Sequence, residues 1–247
     1  MKKLFGIITC FFSMLIALNA QTTFLENVKV EYEKVVYIRQ MIKELWGAEA
    51  FENWGANVPQ STSYYFDFTG NTNKSVYTAG KESVSEEGWW NHMFGSKNVV
   101  ITDYKNQTTI SHKPVFDENF LVEDSLLNIK WKLTADTRTI AGFECRKALG
   151  ILNDSIAIFA FYTDDILVTG GPERIQGLPG LILGVGIPRL HTTWFATKVE
   201  INSNSINIPQ PPKKAKKVSY KSLVQELDRV LKNFGAEGAK LIINFMI

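Results

Sequence analysis

The sequence predicts a mainly β fold of the α+β class: a curved antiparallel meander sheet, half-barrel-like, with a short helix in the N-terminal region and a C-terminal helix packed on it. Three observations carry this. Segments such as "YYFDFTG", "NVVITDY", "TIAGFECRKALG" and "HTTWFATKVEI" are short and alternate or run apolar, as strands do. Clusters such as "GNTN", "YKNQ" and "ILND" punctuate them at turn spacing, and little helical text lies between, which favours an antiparallel meander over βαβ units. Helical periodicity occurs at only two places.

In chain order, "MKKLFGIITCFFSMLIALNA" reads as a secretory signal peptide. Lys2 and Lys3 precede an uncharged apolar core from Leu4 to Ala17, and small residues lead to a cleavage site near Ala20. Residues 1–20 are therefore set aside, and export is expected. "VKVEYEKVVYI" alternates as a half-buried strand, and "RQMIKELWGAEAF" puts Met41, Ile42, Leu45 and Trp46 at helical spacing. The β text continues to residue 207. Residues 208–217, with "PQPPKKAKK", form a Pro- and Lys-rich connector. Residues 218–247 complete the same domain, with a helix over "SLVQELDRVLKNFG" capped at Gly235 and a last strand in "AKLIINFMI".

Composition narrows the function classes. Removing Lys2 and Lys3 from 27 basic residues leaves 25 against 25 acidic ones, so the mature chain has no net charge and no footprint for nucleic acid. The basic stretch "KKAKK" reads as solvated linker. Of the two cysteines, Cys10 leaves with the signal, so Cys145 has no internal disulfide partner. A mature chain of about 225 residues is long enough to be held by a single core.

The stretch "GGPERIQGLPGLILGVGIPRLHTTWF" stands out for its glycines and prolines. Leu178-Pro179-Gly180-Leu181 carries the signature of a type II turn. Gly184 and Gly186 in the strand that follows suggest a bulge or a close backbone approach. A phosphate cradle would need a helix after the glycines, and neither GxxxxGK nor GxGxxG is present. No cofactor is therefore expected.

In Gly177-Leu178-Pro179-Gly180-Leu181-Ile182 the chain resembles the GLPGLI family of exported Bacteroidetes proteins. "YYFDFTGNTNKSVY", "IKWKLTADTRTIAGFECRKA" and "AFYTDDI" extend the resemblance over about residues 28–201. It implies a periplasmic or outer-membrane-associated protein and offers a TonB-linked outer-membrane protein as a partner. It implies no catalytic residues.

Candidate chemistry rests on few side chains. Cys145 would need a base beside it to act as a nucleophile and otherwise reads as a small buried residue. His191 could join it, with Asp154, Asp164 or Asp165, in a nucleophile constellation or a metal site. However, no HxH, HxxxH, HExxH or CxxC spacing supports metal binding. Asp164-Asp165 reads as a loop start. Trp131 and Trp194 read as core, and Trp89 and Trp90, in the polar context "SEEGWWNHMFG", are the exposed-aromatic binding candidates. The leading expectation is an exported non-enzymatic envelope protein. It would bind a lipid-like or peptide ligand in an incompletely filled concave face, or an outer-membrane partner. The alternatives are a thiol/His-dependent hydrolase or a metal-handling protein using Cys145 and His191.

Overall fold

A computed structural model describes residues 27–54, 58–81, 94–201, 205–210, 212–232 and 236–247. Its strands are β1 (Val28–Val36), β2 (Thr62–Gly70), β3 (Lys74–Ala79), β4 (Val99–Asp103), β5 (Thr108–Val115) and β6 (Glu118–Ser125), followed by β7 (Lys132–Ile140), β8 (Phe143–Leu152), β9 (Ile156–Thr163), β10 (Leu181–Ile187), β11 (Thr192–Ile201) and β12 (Lys216–Val218). All belong to one sheet, ordered β12-β6-β5-β4-β3-β2-β1-β11-β10-β9-β8-β7. Two meanders, β2 to β6 and β7 to β11, meet at β1, which pairs antiparallel with β2 on one side and β11 on the other. The sheet is open, with β12 and β7 at its edges. Every pairing is antiparallel except that of β12, which lies parallel to β6 and makes the sheet mixed.

β1 shows how the sequence writes the sheet. Val28, Val30, Tyr32 and Val36 are buried while the residues between them are half-exposed, and β2 repeats the pattern with Thr62, Tyr64, Phe66 and Phe68. These faces meet the largest buried ring, Trp194 of β11, which is 1% exposed. Burying such a ring removes roughly 150–250 Å² from water, on the order of 4–6 kcal/mol.

Among the described residues three helices flank the sheet: α1 (Ile38–Trp54), α2 (Tyr220–Leu231) and α3 (Ala236–Phe245). α1 buries Met41, Ile42 and Leu45 as the spacing predicts, then kinks at Gly47 (φ 84°, ψ 167°). α2 starts at Ser219, whose hydroxyl accepts the Ser222 N–H at 3.1 Å. It buries Leu223, Leu227 and Leu231, one residue per turn. Arg229 reaches Glu118 of β6 at 2.8 Å and fastens the helix to the sheet.

The expected last strand, "AKLIINFMI", is instead the helix α3. A short apolar run does not distinguish buried strand from buried helix. Leu241 and Phe245, four residues apart, both reach the core, and that is the helical solution. The connector also ends in structure, because Lys216–Val218 adds to β6 as β12. Gly235, expected as the cap of α2, lies outside the described residues.

Pro179 and Gly180 do not form the expected type II turn. The Gly180 N–H donates to the Leu178 carbonyl at 2.9 Å, closing a three-residue turn centred on Pro179. Gly180 has φ 153°, and a Cβ there would collide with the Thr163 carbonyl oxygen. Close backbone approach, rather than a type II geometry, is what requires glycine. The other two glycines behave as expected. Register slips between Ile182 and Gly184, and the rings of Phe195 and Phe159 lie against Gly184 and Gly186.

Candidate functional site

Two clusters of ionisable side chains are candidates, one inside the sheet's curve and one at its end. The inner cluster is assembled by the loop between β9 and β10. After Thr163 the chain leaves the sheet, and Ile166, Val168, Ile175 and Leu178 all turn into the core. The loop rejoins β10 where the Ile182 N–H meets the Gly170 carbonyl at 2.8 Å. At its deepest point Glu173 and Arg174 are 3% and 5% exposed.

Glu173 faces Lys34 of β1 at 3.7 Å and accepts the Asn98 amide at 3.1 Å. Lys34 also donates to the Phe94 carbonyl at 2.5 Å and lies 4.8 Å from the centroid of the Trp194 ring. Arg174 stacks 4.2 Å from the centre of the Tyr220 ring and donates to the Ser125 carbonyl at 3.1 Å, joining the loop to α2 and β6. Lys113 of β5 donates to the Ile247 carbonyl. Burial pushes the Lys34 ammonium down from its ordinary pKa while Glu173 pulls it back up. Burial likewise takes Lys113 down to about 8. Among the described residues the buried charged side chains are thus three cations and one carboxylate. Glu173 is the buried side-chain carboxylate set against them, and Lys34 is the cation that it pairs with directly.

The second cluster lines a cleft of about 260 Å³ between α1, α3 and the 3-10 turn Pro188–Leu190. Its floor is Met41, Leu45, Leu190 and Ile243, and its polar groups are Glu44, Arg189, His191, Lys240 and Asn244. The His191 ring lies 2.6 Å from the Glu44 carboxylate. His191 caps the 3-10 turn in the left-handed region (φ 47°), a conformation that non-glycine residues adopt mainly where the surroundings impose it. The kink at Gly47 leaves the end of the preceding helical turn without its usual amide partners, and Lys240 donates to the Leu45 carbonyl at 3.1 Å.

The side chains singled out from sequence fall in separate places. Cys145 is fully buried in β8, its thiol is 3.5 Å from the Phe143 carbonyl, and burial pushes its pKa up to about 11. No hydrogen bond joins it to His191, whose ring partner is Glu44. Asp164 pairs with Arg146 at 3.3 Å on the surface, and no group of three or more metal-ligating side chains occurs among the described residues. Trp89 and Trp90 lie outside those residues. Trp194 is core. Trp131 is half-buried just before β7, where its indole N–H donates to the Gln176 carbonyl at 3.0 Å and its ring covers Gly150 and Gly177. Gly177, Leu178, Pro179, Gly180, Leu181 and Ile182 form the tight turn and the start of β10.

With this geometry in place, the comparisons narrow the function. Residues 97–187 match the N-glycanase peptide, N-terminal domain. That span runs from the approach to β4 through β10 and includes Lys113, Cys145, Glu173 and Arg174. Two solved structures of PNGF-II share the fold. One, in space group P21, has a TM-score of 0.53 at 17% identity over 80% of this chain and 32% of its own. The other, in space group C2, has 0.51 at 16% identity over 78% and 31%. The chain therefore spans about a third of the length of the solved structures it matches. No curated protein sequence matches it.

These matches correct two expectations. The family model that covers the GLPGLI motif is the N-glycanase one, not that of the GLPGLI family. The physical reason is local. Gly180 lies against the Thr163 carbonyl and Pro179 centres a tight turn, so these residues answer to backbone geometry that a short motif shares easily. The TonB-linked partner loses the support that resemblance gave it. The non-enzymatic carrier of lipid or peptide is overturned as well, because the match is to a glycanase domain. Ile166, Val168, Ile175 and Leu178 of the β9–β10 loop pack in the core, and the void beside Arg174 holds about 10 Å³, room for one water. Neither alternative replaces the carrier, because the matches concern N-glycanase and give no support to thiol or metal chemistry. The expectation of export stands beside these matches.

Proposed function

We propose that this chain is an exported, N-glycanase-like protein that acts on N-linked glycans in the periplasm or at the outer membrane. The observation that carries the reading is the match of residues 97–187 to the N-terminal domain of N-glycanase. The likeness of the fold to PNGF-II over 80% of the chain supports it. Because the chain spans about a third of PNGF-II, that protein's activity reaches this one only as part of the proposal.

The geometry contributes a cleft with the means to move a proton. Hydrolysis at a glycan linkage needs a group that donates a proton to the leaving atom and one that takes a proton from water. Glu44 orients the His191 ring at 2.6 Å, and both lie at the mouth of an open cleft. The test is mass spectrometry of an N-glycopeptide incubated with the chain, alongside retention of that glycopeptide and its sugar-free form on immobilised protein. Loss of the glycan mass, or retention of the glycosylated form alone, is expected. Neither release nor selective retention would overturn the reading.

A further inference from the structure

The cleft between α1 and α3 carries a more specific chemistry than its size alone suggests. It presents one carboxylate acceptor, Glu44, hydrogen-bonded to a ring that can take either role, His191. It also presents two cations, Arg189 and Lys240. Lys240 is anchored on the Leu45 carbonyl, which fixes where its charge sits. Arg189 follows Pro188 on a single 3-10 turn, so its backbone is held while its side chain is exposed. Among the described residues its guanidinium makes no hydrogen bond or ion pair. Underneath lie Met41, Leu45 and Leu190, all buried and apolar.

We infer that this cleft is a binding site for an acidic sugar, a saccharide unit bearing a carboxylate. Each half of the ligand meets a different part of the site. A carboxylate matches the planar fork of Arg189. The ring hydroxyls are donors as well as acceptors, and the Glu44 carboxylate accepts from them in charge-assisted hydrogen bonds with the His191 ring beside it. The apolar face of the sugar ring rests on Leu190 and Leu45. A simple carboxylic acid leaves Glu44 unused and brings its own negative charge beside it. A neutral sugar leaves Arg189 unused. The volume, about 260 Å³, suits one or two sugar units. That the sugar belongs to an N-glycan rests on the function proposed above, whereas recognition of the acid rests on the cleft alone.

The test is calorimetric titration of the full chain with glucuronate, N-acetylneuraminate, glucose and acetate. At least one of the two acidic sugars is expected to bind at least tenfold more tightly than glucose and than acetate. Arg189→Gln should weaken the acidic sugar at least tenfold and leave glucose unchanged, and Glu44→Gln should weaken both sugars. Arg189 is exposed, and an unshifted melting curve for its variant separates lost contact from lost fold. The inference is overturned if neither acidic sugar binds, if acetate or glucose binds as well, or if Arg189→Gln has no effect. A second pair of measurements separates this from the N-glycan reading. Retention of sialylated and desialylated N-glycopeptides to the same extent, unchanged in Arg189→Gln, sinks the acidic-sugar site and leaves the N-glycan reading standing. Binding of free acidic sugar without any action on N-glycopeptides has the reverse meaning.

Discussion

Two of the molecule's acid–base pairs stand in contrast, and the closer one holds the structure less. His191 and Glu44 are 2.6 Å apart at the rim of a cleft, 27% and 55% exposed. Lys34 and Glu173 are 3.7 Å apart inside the sheet, with side chains 7% and 1% exposed. Water screens the first pair and solvates either partner when the other is removed. When Glu173 is gone, Lys34 keeps the Phe94 carbonyl and the Trp194 ring but no opposite charge and little water. Burial therefore ranks these pairs and distance does not. The difference also divides their roles: the inner pair is committed to holding the β9–β10 loop, whereas the outer pair is free to meet a ligand.

Breaking the inner pair should have the largest effect. Glu173→Ala leaves Lys34, Lys113 and Arg174 without the one buried carboxylate among them, and a loss of about 3–5 kcal/mol is expected in urea unfolding. The double variant Lys34→Met/Glu173→Leu should recover most of it, because a dry pair replaced by apolar groups of similar size removes the penalty with the attraction. If the double variant is no better than Glu173→Ala, the loss came from the loop's backbone and not from stranded charge.

Next in size is the turn that returns this loop to the sheet. Gly180→Val forces a side chain into the Thr163 carbonyl at φ 153°, and a loss of about 2–3 kcal/mol is expected. Binding at the cleft by the protein that remains folded should be unchanged, because the turn makes no contact with Glu44 or His191. Lost binding at wild-type stability would make the turn part of a site instead.

A smaller effect appears in the pH dependence of stability. Lys113 gives up its proton near pH 8 when folded and near its ordinary 10.5 when unfolded. In that window the unfolded chain binds more protons, so stability rises with pH. Lys34, also pushed down by burial, acts with the same sign. Cys145 opposes them between its ordinary 9.0 and about 11, because the folded thiol keeps a proton that the unfolded one has lost. The expected outcome is a gain of about 1 kcal/mol from pH 8 to 9, then a plateau. Cys145→Ala should extend the rise toward pH 10, and Lys113→Met should reduce it. Melting temperatures across pH 7.5–10 check all three.

How visible each region is in the sequence follows from how it is built. The strands were legible because alternation maps directly onto burial. Lys34 is legible too: it shares parity with Val28, Val30, Tyr32 and Val36, so the pattern that identifies β1 also turns a lysine inward. Glu173 and Arg174 leave no such trace, because the loop that buries them has no period. The helix over SLVQELDRVL is legible from its period, but α3 reads as a strand because an apolar run of that length satisfies either element until its partners are known. The cleft was half legible. His191 stood out as a rare residue type, but Glu44 lies 147 residues away on the open face of an ordinary amphipathic helix. Only the packing of α1 beside the Pro188–Leu190 turn brings them together.

The smallest expected change in stability is at that outer pair, where it sharpens the comparison most. Glu44→Ala should cost less than about 1 kcal/mol, since both side chains stay in water and an exposed pair contributes little. His191 then loses the partner that orients its ring, and sugar binding in the cleft should weaken with the melting temperature nearly unchanged. Tight binding of sugar by Glu44→Ala would move the site elsewhere. A loss of stability as large as that of Glu173→Ala would mean that the cleft is part of the scaffold and that exposure does not separate the two pairs after all.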